Sequence, residues 1–122
     1  MPRELVILSP SMPGDASFRA AADSLAEPVS LTLDAGGLLA RFHTRAQDPL
    51  VTVLHPPRIT SSSEIDRLLP GHAALPPAPL DGLWWTDVVV PWGPAEVAGV
   101  ALAVSLAREL GGILVDRAAV SA

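Results

Sequence analysis

Three histidines, His43, His55 and His72, have the side chains best suited in this chain to bind a metal ion or transfer a proton. No two of them have the i, i+4 spacing that places two ligands on one face of a helix. His72 lies in a proline-rich stretch, and the predicted strands of His43 and His55 need not bring them together. Cysteine is absent, which excludes disulfides, thiolate catalysis and cysteine-ligated metal sites. The sequence therefore predicts no metal site and no cofactor.

Serine hydroxyls are the next candidate nucleophiles, and Ser9, Ser11 and Ser17 lie near Asp15 in a predicted strand-to-helix loop. Nucleophilic catalysis needs such a hydroxyl held against a base and an oxyanion hole. A loop of this kind can also bind an anion at the helix N-terminus, but turns and helix caps require the same residues. The chain has no G-x-S-x-G, G-x-x-x-x-G-K-[ST] or G-x-G-x-x-G motif, and it has no Lys. We therefore predict no catalytic residue.

Asp87 is a carboxylate on a predicted strand of mostly apolar residues. If it is buried it needs a cation such as Arg41 or Arg58, whereas at the open rim of the sheet it stays in water. Together with Arg41 and His43, it forms the candidate polar set of a ligand pocket. That pocket would lie between the open sheet face and the loop Pro70 to Gly82.

The strand that carries Asp87, Leu83 to Val90, has apolar residues on both of its faces. Alternate strand residues point to opposite sides. One face therefore holds Trp84, Val88 and Val90, and the other holds Leu83, Trp85 and Val89. A small two-layer domain has one core, so a loop, a second sheet or another protein chain must cover the second face.

Trp84, Trp85 and Trp92 lie within nine residues of a chain that has two Phe and no Tyr. Aromatic side chains bury the most area and dominate binding hot spots, so these three form the candidate interaction surface. Because Trp84 and Trp85 point in opposite directions, we expect one to fill the core and the other to face outward. The outward one is either roofed by the loop Pro70 to Gly82 or anchors a dimer or partner contact.

With 122 residues, 49 % of them hydrophobic, the chain is predicted to form a single globular domain, residues 1–122. Eight Arg against thirteen Asp and Glu give a net charge of −5. That balance argues against nucleic-acid binding and suits a basic protein partner. No apolar run is long enough for a signal peptide or a membrane span, so we expect a cytoplasmic protein without membrane contact. The abundance of Ala, Arg, Gly and Pro suggests a bacterial source.

The order of predicted elements is β-α-β-β-β-(short α)-β-α-β. This order favours an α+β two-layer sandwich, in which two long helices cover one face of a mainly antiparallel sheet. The ferredoxin-like fold, or an enlarged variant of it, is the nearest common plan. Asp15 and Gly93 are the predicted N-caps of the long helices, and Ser62 to Leu69 is the predicted short helix. The second long helix is predicted to turn Val100, Ala103, Val104, Leu106, Ala107 and Leu110 inward.

The chain closes with an apolar helix, Leu110-Gly111-Gly112 and the strand Ile113-Leu114-Val115-Asp116. The segment Trp92 to Asp116 resembles the C-terminal end of small bacterial α+β families, among them immunity proteins of polymorphic toxin systems. We expect a non-enzymatic interaction protein, acting as a homodimer or as the neutralising partner of a basic protein. The alternative is a small enzyme or ligand-binding domain that uses the pocket at Asp87.

Overall fold

The computed structural model describes residues 3–25, 28–34, 39–46, 48–54, 58–59 and 84–116. The chain order is β1 (Arg3–Ser9), α1 (Asp15–Asp23), β2 (Val29–Asp34), β3 (Leu39–Thr44), β4 (Pro49–Leu54), β5 (Arg58–Ile59), β6 (Trp84–Val90), α2 (Glu96–Glu109) and β7 (Ile113–Asp116). The predicted α+β class with an antiparallel sheet and two helices is confirmed. The predicted short helix Ser62 to Leu69, the loop Pro70 to Gly82 and Leu83 lie outside the described residues.

The sheet has the strand order β2-β3-β4-β6-β1-β7, and every described pairing is antiparallel. β1 and β6 pair along their whole length, from Arg3 opposite Val90 to Ser9 opposite Trp84. The two-residue strand β5 pairs with the end of β6 that β4 does not reach. Val53 pairs with Val88 of β6, and Arg58 pairs with Trp85 of β6. Four residues lie between positions 53 and 58, whereas two lie between positions 85 and 88. The β4–β5 segment therefore has two residues more than the stretch of β6 that it follows.

Both helices pack together against one face of this sheet. The core includes Leu5 and Ile7 of β1, Phe42 of β3, Val88 and Val90 of β6, Phe18 of α1, and Leu102 and Leu106 of α2. The rings of Phe18 and Phe42 meet edge to face, with centroids 5.9 Å apart at an angle of 78°. That contact and those with β2 hold α1 over β2 and β3, while α2 lies over β4, β6, β1 and β7.

Helix α1 begins at Asp15 with Gly14 as its N-cap, one residue earlier than the predicted cap at Asp15. The Ser17 hydroxyl explains the difference. It donates to the Gly14 carbonyl at 2.8 Å and accepts from the Gly14 amide at 2.9 Å, so the turn closes around residue 14. Asp15 is then free to form an i, i+4 ion pair with Arg19, with Oδ2 and Nε 3.0 Å apart.

Helix α2 begins at Glu96 with Ala95 as its N-cap, so the predicted N-cap at Gly93 is wrong. Gly93 has φ +145°, a conformation that L-residues rarely adopt, and it bends the chain away from β6 before a single turn leads into the helix. The other end is as predicted, since Gly111 has φ +67° after the last helical turn. Its amide donates to the Arg108 carbonyl, and the Gly112 amide donates to the Ala107 carbonyl, which closes a Schellman motif.

Two glycines allow α2 and its C-terminal turn to approach the sheet closely. A Cβ on Gly99 would lie 2.4 Å from the Leu50 carbonyl oxygen and 2.8 Å from Val90 Cγ1. A Cβ on Gly112 would lie 2.3 Å from the Leu8 carbonyl oxygen. The two carbonyl oxygens are backbone atoms of strands that are paired within the sheet, so neither can move aside cheaply.

We expect Gly99→Ala to destabilise the protein although alanine favours a helix. The clash with the β4 backbone should cost more than the roughly 1 kcal/mol of helix propensity gained, leaving a net loss of about 2 kcal/mol. Gly14→Ala is the control, because nothing lies within 4 Å of its added Cβ, and we expect a loss below about 1 kcal/mol, the difference between Gly and Ala at an N-cap. Urea unfolding of the two variants measures the difference, and equal stability would contradict the close approach.

Thr86 of β6 places a hydroxyl in the core. It lies opposite Ile7, its side chain is 0 % exposed, and Oγ1 has no hydrogen-bond partner among the described residues. An unsatisfied buried hydroxyl lowers stability because it has lost its hydrogen bonds to water.

We therefore expect Thr86→Val to raise the free energy of unfolding by about 1 kcal/mol, because it keeps the branched shape and removes the hydroxyl. Thr86→Ala also removes a methyl group and leaves a small cavity, so it should lower stability by about 1 kcal/mol. The midpoints of thermal or urea unfolding give both values. A valine variant less stable than the wild type would show that the hydroxyl is satisfied.

Candidate interaction surface and candidate polar pocket

The three tryptophans occupy three different environments. Trp85 is buried, with 1 % of its surface exposed, and Trp84 is half-buried on the helix-covered face. Trp92 follows the end of β6 and is 70 % exposed. The predicted opposite orientation of Trp84 and Trp85 agrees with the register of β6 against β1. The tryptophan at the surface is Trp92.

The sheet face away from the helices has two halves of different character. On β1, β6 and β7 it carries buried apolar side chains, namely Val6, Leu8, Trp85 and Val115. On β2, β3 and β4 it carries polar or exposed ones, namely Ser30, Thr32, Arg41, His43 and Thr52. Among the described residues, the buried part of the predicted second apolar face thus lies on β1, β6 and β7.

Asp87 lies on the apolar half, two residues from Trp85 on the same strand face. Its Oδ1 accepts a hydrogen bond from the indole Nε1 of Trp85 at 2.9 Å. A buried indole N–H needs an acceptor, because a buried donor without one lowers the stability of the fold by more than a formed hydrogen bond raises it. Sequence reasoning offered an arginine partner for a buried Asp87 or water at the open rim, and neither alternative included this local solution. The i, i+2 spacing that puts both side chains on one strand face was the available signal.

Asp87 also lines a cavity of about 200 Å³ together with Glu4, Leu5, Leu54, Val88 and Val89. Pockets for drug-sized molecules start at about 300 Å³, so this space suits a smaller occupant. Two of its side chains are carboxylates, and Glu4 and Asp87 lie on the same face of neighbouring strands. The cavity therefore favours a small cation or water over an anion.

Arg41 and His43 do not join Asp87 in one site. Both lie on β3, separated from β6 by β4, which sets β3 and β6 about 10 Å apart across the sheet. Arg41 is opposite Thr52, which is opposite Val89, so it lies two residues from the level of Asp87. His43 is opposite Pro49, which places it about 17 Å from Asp87 along the strands. The candidate trio is thus spread over the sheet.

The serines of the strand-to-helix loop are engaged in local hydrogen bonds. Ser9 is buried, and its hydroxyl donates to the Ser11 carbonyl at 2.6 Å. Ser17 closes the N-terminal turn of α1 around Gly14, as described above. The surface depression beside this loop is also lined by Asp15 and Glu109, whose negative charges disfavour an anion.

The second long helix carries an apolar stripe on the side opposite its core contacts. We call Val97, Ala101, Val104 and Arg108 the outer stripe; they recur at spacings of four, three and four residues. Val97 is 84 % exposed, Ala101 and Arg108 are exposed, and Val104 is half-buried outside the core cluster rather than turned inward as predicted. Trp92 lies just before the N-terminal end of this stripe. Trp92 and Val97 are thus two exposed large apolar side chains, five residues apart in the chain at the start of α2.

An apolar groove runs beside the outer stripe. Two adjoining cavities of about 530 and 310 Å³ share Thr44 and Ala98. The first reaches Pro94 of the turn before α2, as well as Arg45 and Asp48 of the β3–β4 turn. The second is lined mainly by apolar residues, namely Leu25, Pro28, Val29, Leu50 and Ala101. The apolar surface therefore continues from α2 toward the end of α1.

Sequence reasoning found Trp92 but not Val97 or the exposure of Val104. The signal was present, because Val97, Ala101 and Val104 fall on one side of the helical wheel, opposite Gly99, Leu102 and Leu106, and one core covers only one side of a helix. The helical-wheel prediction placed Val100 and Val104 on the inward arc and left Val97 unassigned.

Among the described residues, no three His, Asp or Glu side chains come close enough together to hold a metal ion. Neither of the two described helices has the length and apolar character needed to cross a membrane. Among the described residues, ion pairs join Arg3 to Asp116, at 3.2 Å, and Asp15 to Arg19.

Comparison of the chain with protein-family models, curated proteins and solved structures finds no match.

We expect Asp87→Ala to lower the free energy of unfolding by about 1–3 kcal/mol, because it removes an acceptor of the buried Trp85 indole. Asp87→Asn keeps an acceptor oxygen in the same place and should lose much less. Removing the donor by Trp85→Phe should make Asp87→Ala nearly neutral in that background, which a double-mutant cycle in urea tests. Equal losses from Asp87→Ala with and without Trp85 would contradict a role through the indole.

Proposed function

We propose that this chain is a non-enzymatic protein-interaction module whose contact surface is Trp92 with the outer stripe of α2. Two modes of action stay open within this proposal: association with a second copy, or neutralisation of a basic protein partner. The single observation that carries the proposal is the pair of exposed apolar side chains, Trp92 and Val97, at the start of one helix.

Single exposed apolar residues are common on protein surfaces, whereas larger exposed apolar areas mark interaction sites. Trp is the residue type most enriched in binding hot spots, where it fills a pocket on the partner. The groove beside Ala98 and Ala101 extends the same surface and would accept partner side chains. A rigid helix presents the patch, so little conformational entropy is lost on binding.

The charge of the chain supports a protein partner over nucleic acid. The net charge of −5 and the absence of Lys disfavour a phosphate backbone, which binds through clusters of cations. The acidic balance and the resemblance of the C-terminal segment to immunity proteins both support a basic partner. A bacterial, cytoplasmic protein is part of the same proposal.

We also propose that the fold is an enlarged ferredoxin-like fold. Supporting it, β7, β1 and β6 are neighbours in that order, and a helix follows both β1 and β6. The hairpin of β3 and β4 would then be the insertion, because it lies between β6 and β2.

A ligand-binding domain with a pocket at Asp87 is the less supported alternative. Its proposed polar residues are far apart in the sheet, and Asp87 is bonded to Trp85. The cavity beside it is smaller than usual ligand pockets.

Site-specific photo-crosslinking tests the proposed function. A photo-reactive amino acid, p-benzoylphenylalanine, replaces Val97 in one variant and Leu33 in a matched control, and both are irradiated in living cells. Leu33 is also an exposed large apolar residue, at 53 %, but it lies on β2. We expect discrete adducts from position 97, whether to a second copy or to another protein, and none from position 33. No adduct at 97, or the same adducts at both positions, would contradict the proposal.

A further inference from the structure

The residues of the outer stripe indicate which molecule binds to it. We infer that a second copy of this chain packs on it, with the two α2 helices antiparallel and crossing at Ala101. This inference rests on the proposed function, because it assigns the occupant of the same surface.

The outer stripe is complementary to the same stripe of a second copy that runs in the opposite direction. Val97 lies four residues before Ala101, and Val104 lies three residues after it. With a two-fold axis at Ala101, Val97 of one copy therefore meets Val104 of the other, offset by about 1.5 Å along the helix axis. A two-fold interface repeats every contact, so both valines of each copy are buried by one arrangement.

Ala101 at the crossing point is small enough for the helices to approach closely. Helix pairs pack with their axes about 8–10 Å apart, depending on the side chains at the contact. Ala98, on the groove side of Ala101, is also small and exposed. The larger Val97 and Val104 flank the crossing and fill the space where the helices diverge.

The one charge in the outer stripe, on Arg108, also favours the antiparallel arrangement. Glu96 is in the first turn and Arg108 is in the last. Reversing one copy brings Arg108 to the end that carries the partner's Trp92 and Glu96. A guanidinium stacks well on an indole face and attracts a carboxylate. The ion pairs found among the described residues, Arg3–Asp116 and Asp15–Arg19, use neither Glu96 nor Arg108.

A basic protein is a poorer occupant of the outer stripe. The only charged side chain in the stripe is Arg108, a cation. A basic partner would bring like charge against it, whereas a second copy brings an indole and a carboxylate.

Single cysteines test the geometry, because the wild-type chain has none. Ala101→Cys lies on the proposed two-fold axis and should oxidise to a covalent dimer. Val97→Cys alone should not, because its two copies lie about 12 Å apart along the axis, beyond the roughly 7 Å Cα limit of a disulfide. Mixing Val97→Cys with Val104→Cys should give a mixed disulfide. Rapid linking of Val97→Cys to itself would overturn the antiparallel packing.

Sedimentation velocity over a concentration series tests the association itself. We expect a wild-type dimer, and Val97→Asp should raise its dissociation constant at least about 100-fold, because the symmetric interface buries the new carboxylate twice. Leu33→Asp is the matched control and should leave the dimer unchanged, while circular dichroism confirms that both variants fold. A wild-type monomer, or a dimer that Val97→Asp does not weaken, would overturn the inference.

The two proposals fail in distinguishable ways. A monomer whose position 97 crosslinks to a different protein overturns the second copy as occupant and keeps the interaction function. A monomer that gives no adduct at position 97 overturns both.

Discussion

The antiparallel ladder between β1 and β6 is the interaction on which the rest of the structure depends. It joins the N-terminal strand to a strand more than eighty residues later, and it sets the register of every other described element on that side of the sheet. Ile7 and Thr86 face the helices, while Leu8 and Trp85 face away from them. A slip of one residue would move Trp85 into the helix layer and Val88 out of it.

The same ladder fixes where α2 begins. β6 ends at Val90, and the bend at Gly93 sends the chain back across the sheet, where Gly99 lets the helix settle on β4. Because the helix approaches so closely, its inner side is filled by a single layer of leucine and alanine side chains. The valines on its outer side are left at the surface, so the apolar patch follows from the depth at which the helix sits.

Sequence reasoning predicted most of the element order and failed where tertiary contacts decide. The strands were predicted correctly because β1 is a continuous apolar run and β2 alternates apolar with polar residues. The end of α2 was predicted correctly because glycine is the residue that readily adopts the positive φ of position 111. The start of α2 was placed too early, since the Gly93-Pro94 pair marks a turn as well as a helix. The site was harder, because the separation of Arg41 and His43 from Asp87 depends on strand order, which no local pattern encodes.

The position of β2 at the end of the strand order has a consequence for the behaviour of concentrated solutions. Among the described strands it pairs with β3 alone, so its outer row of amides and carbonyls has no described strand beside it. Its sequence, VSLTLD, combines high β-propensity with a single charge at its end and no proline. Natural proteins usually guard such an edge with charges, prolines or bulges. The β2 edge is therefore a place where non-native strand addition, and with it aggregation, has few obstacles.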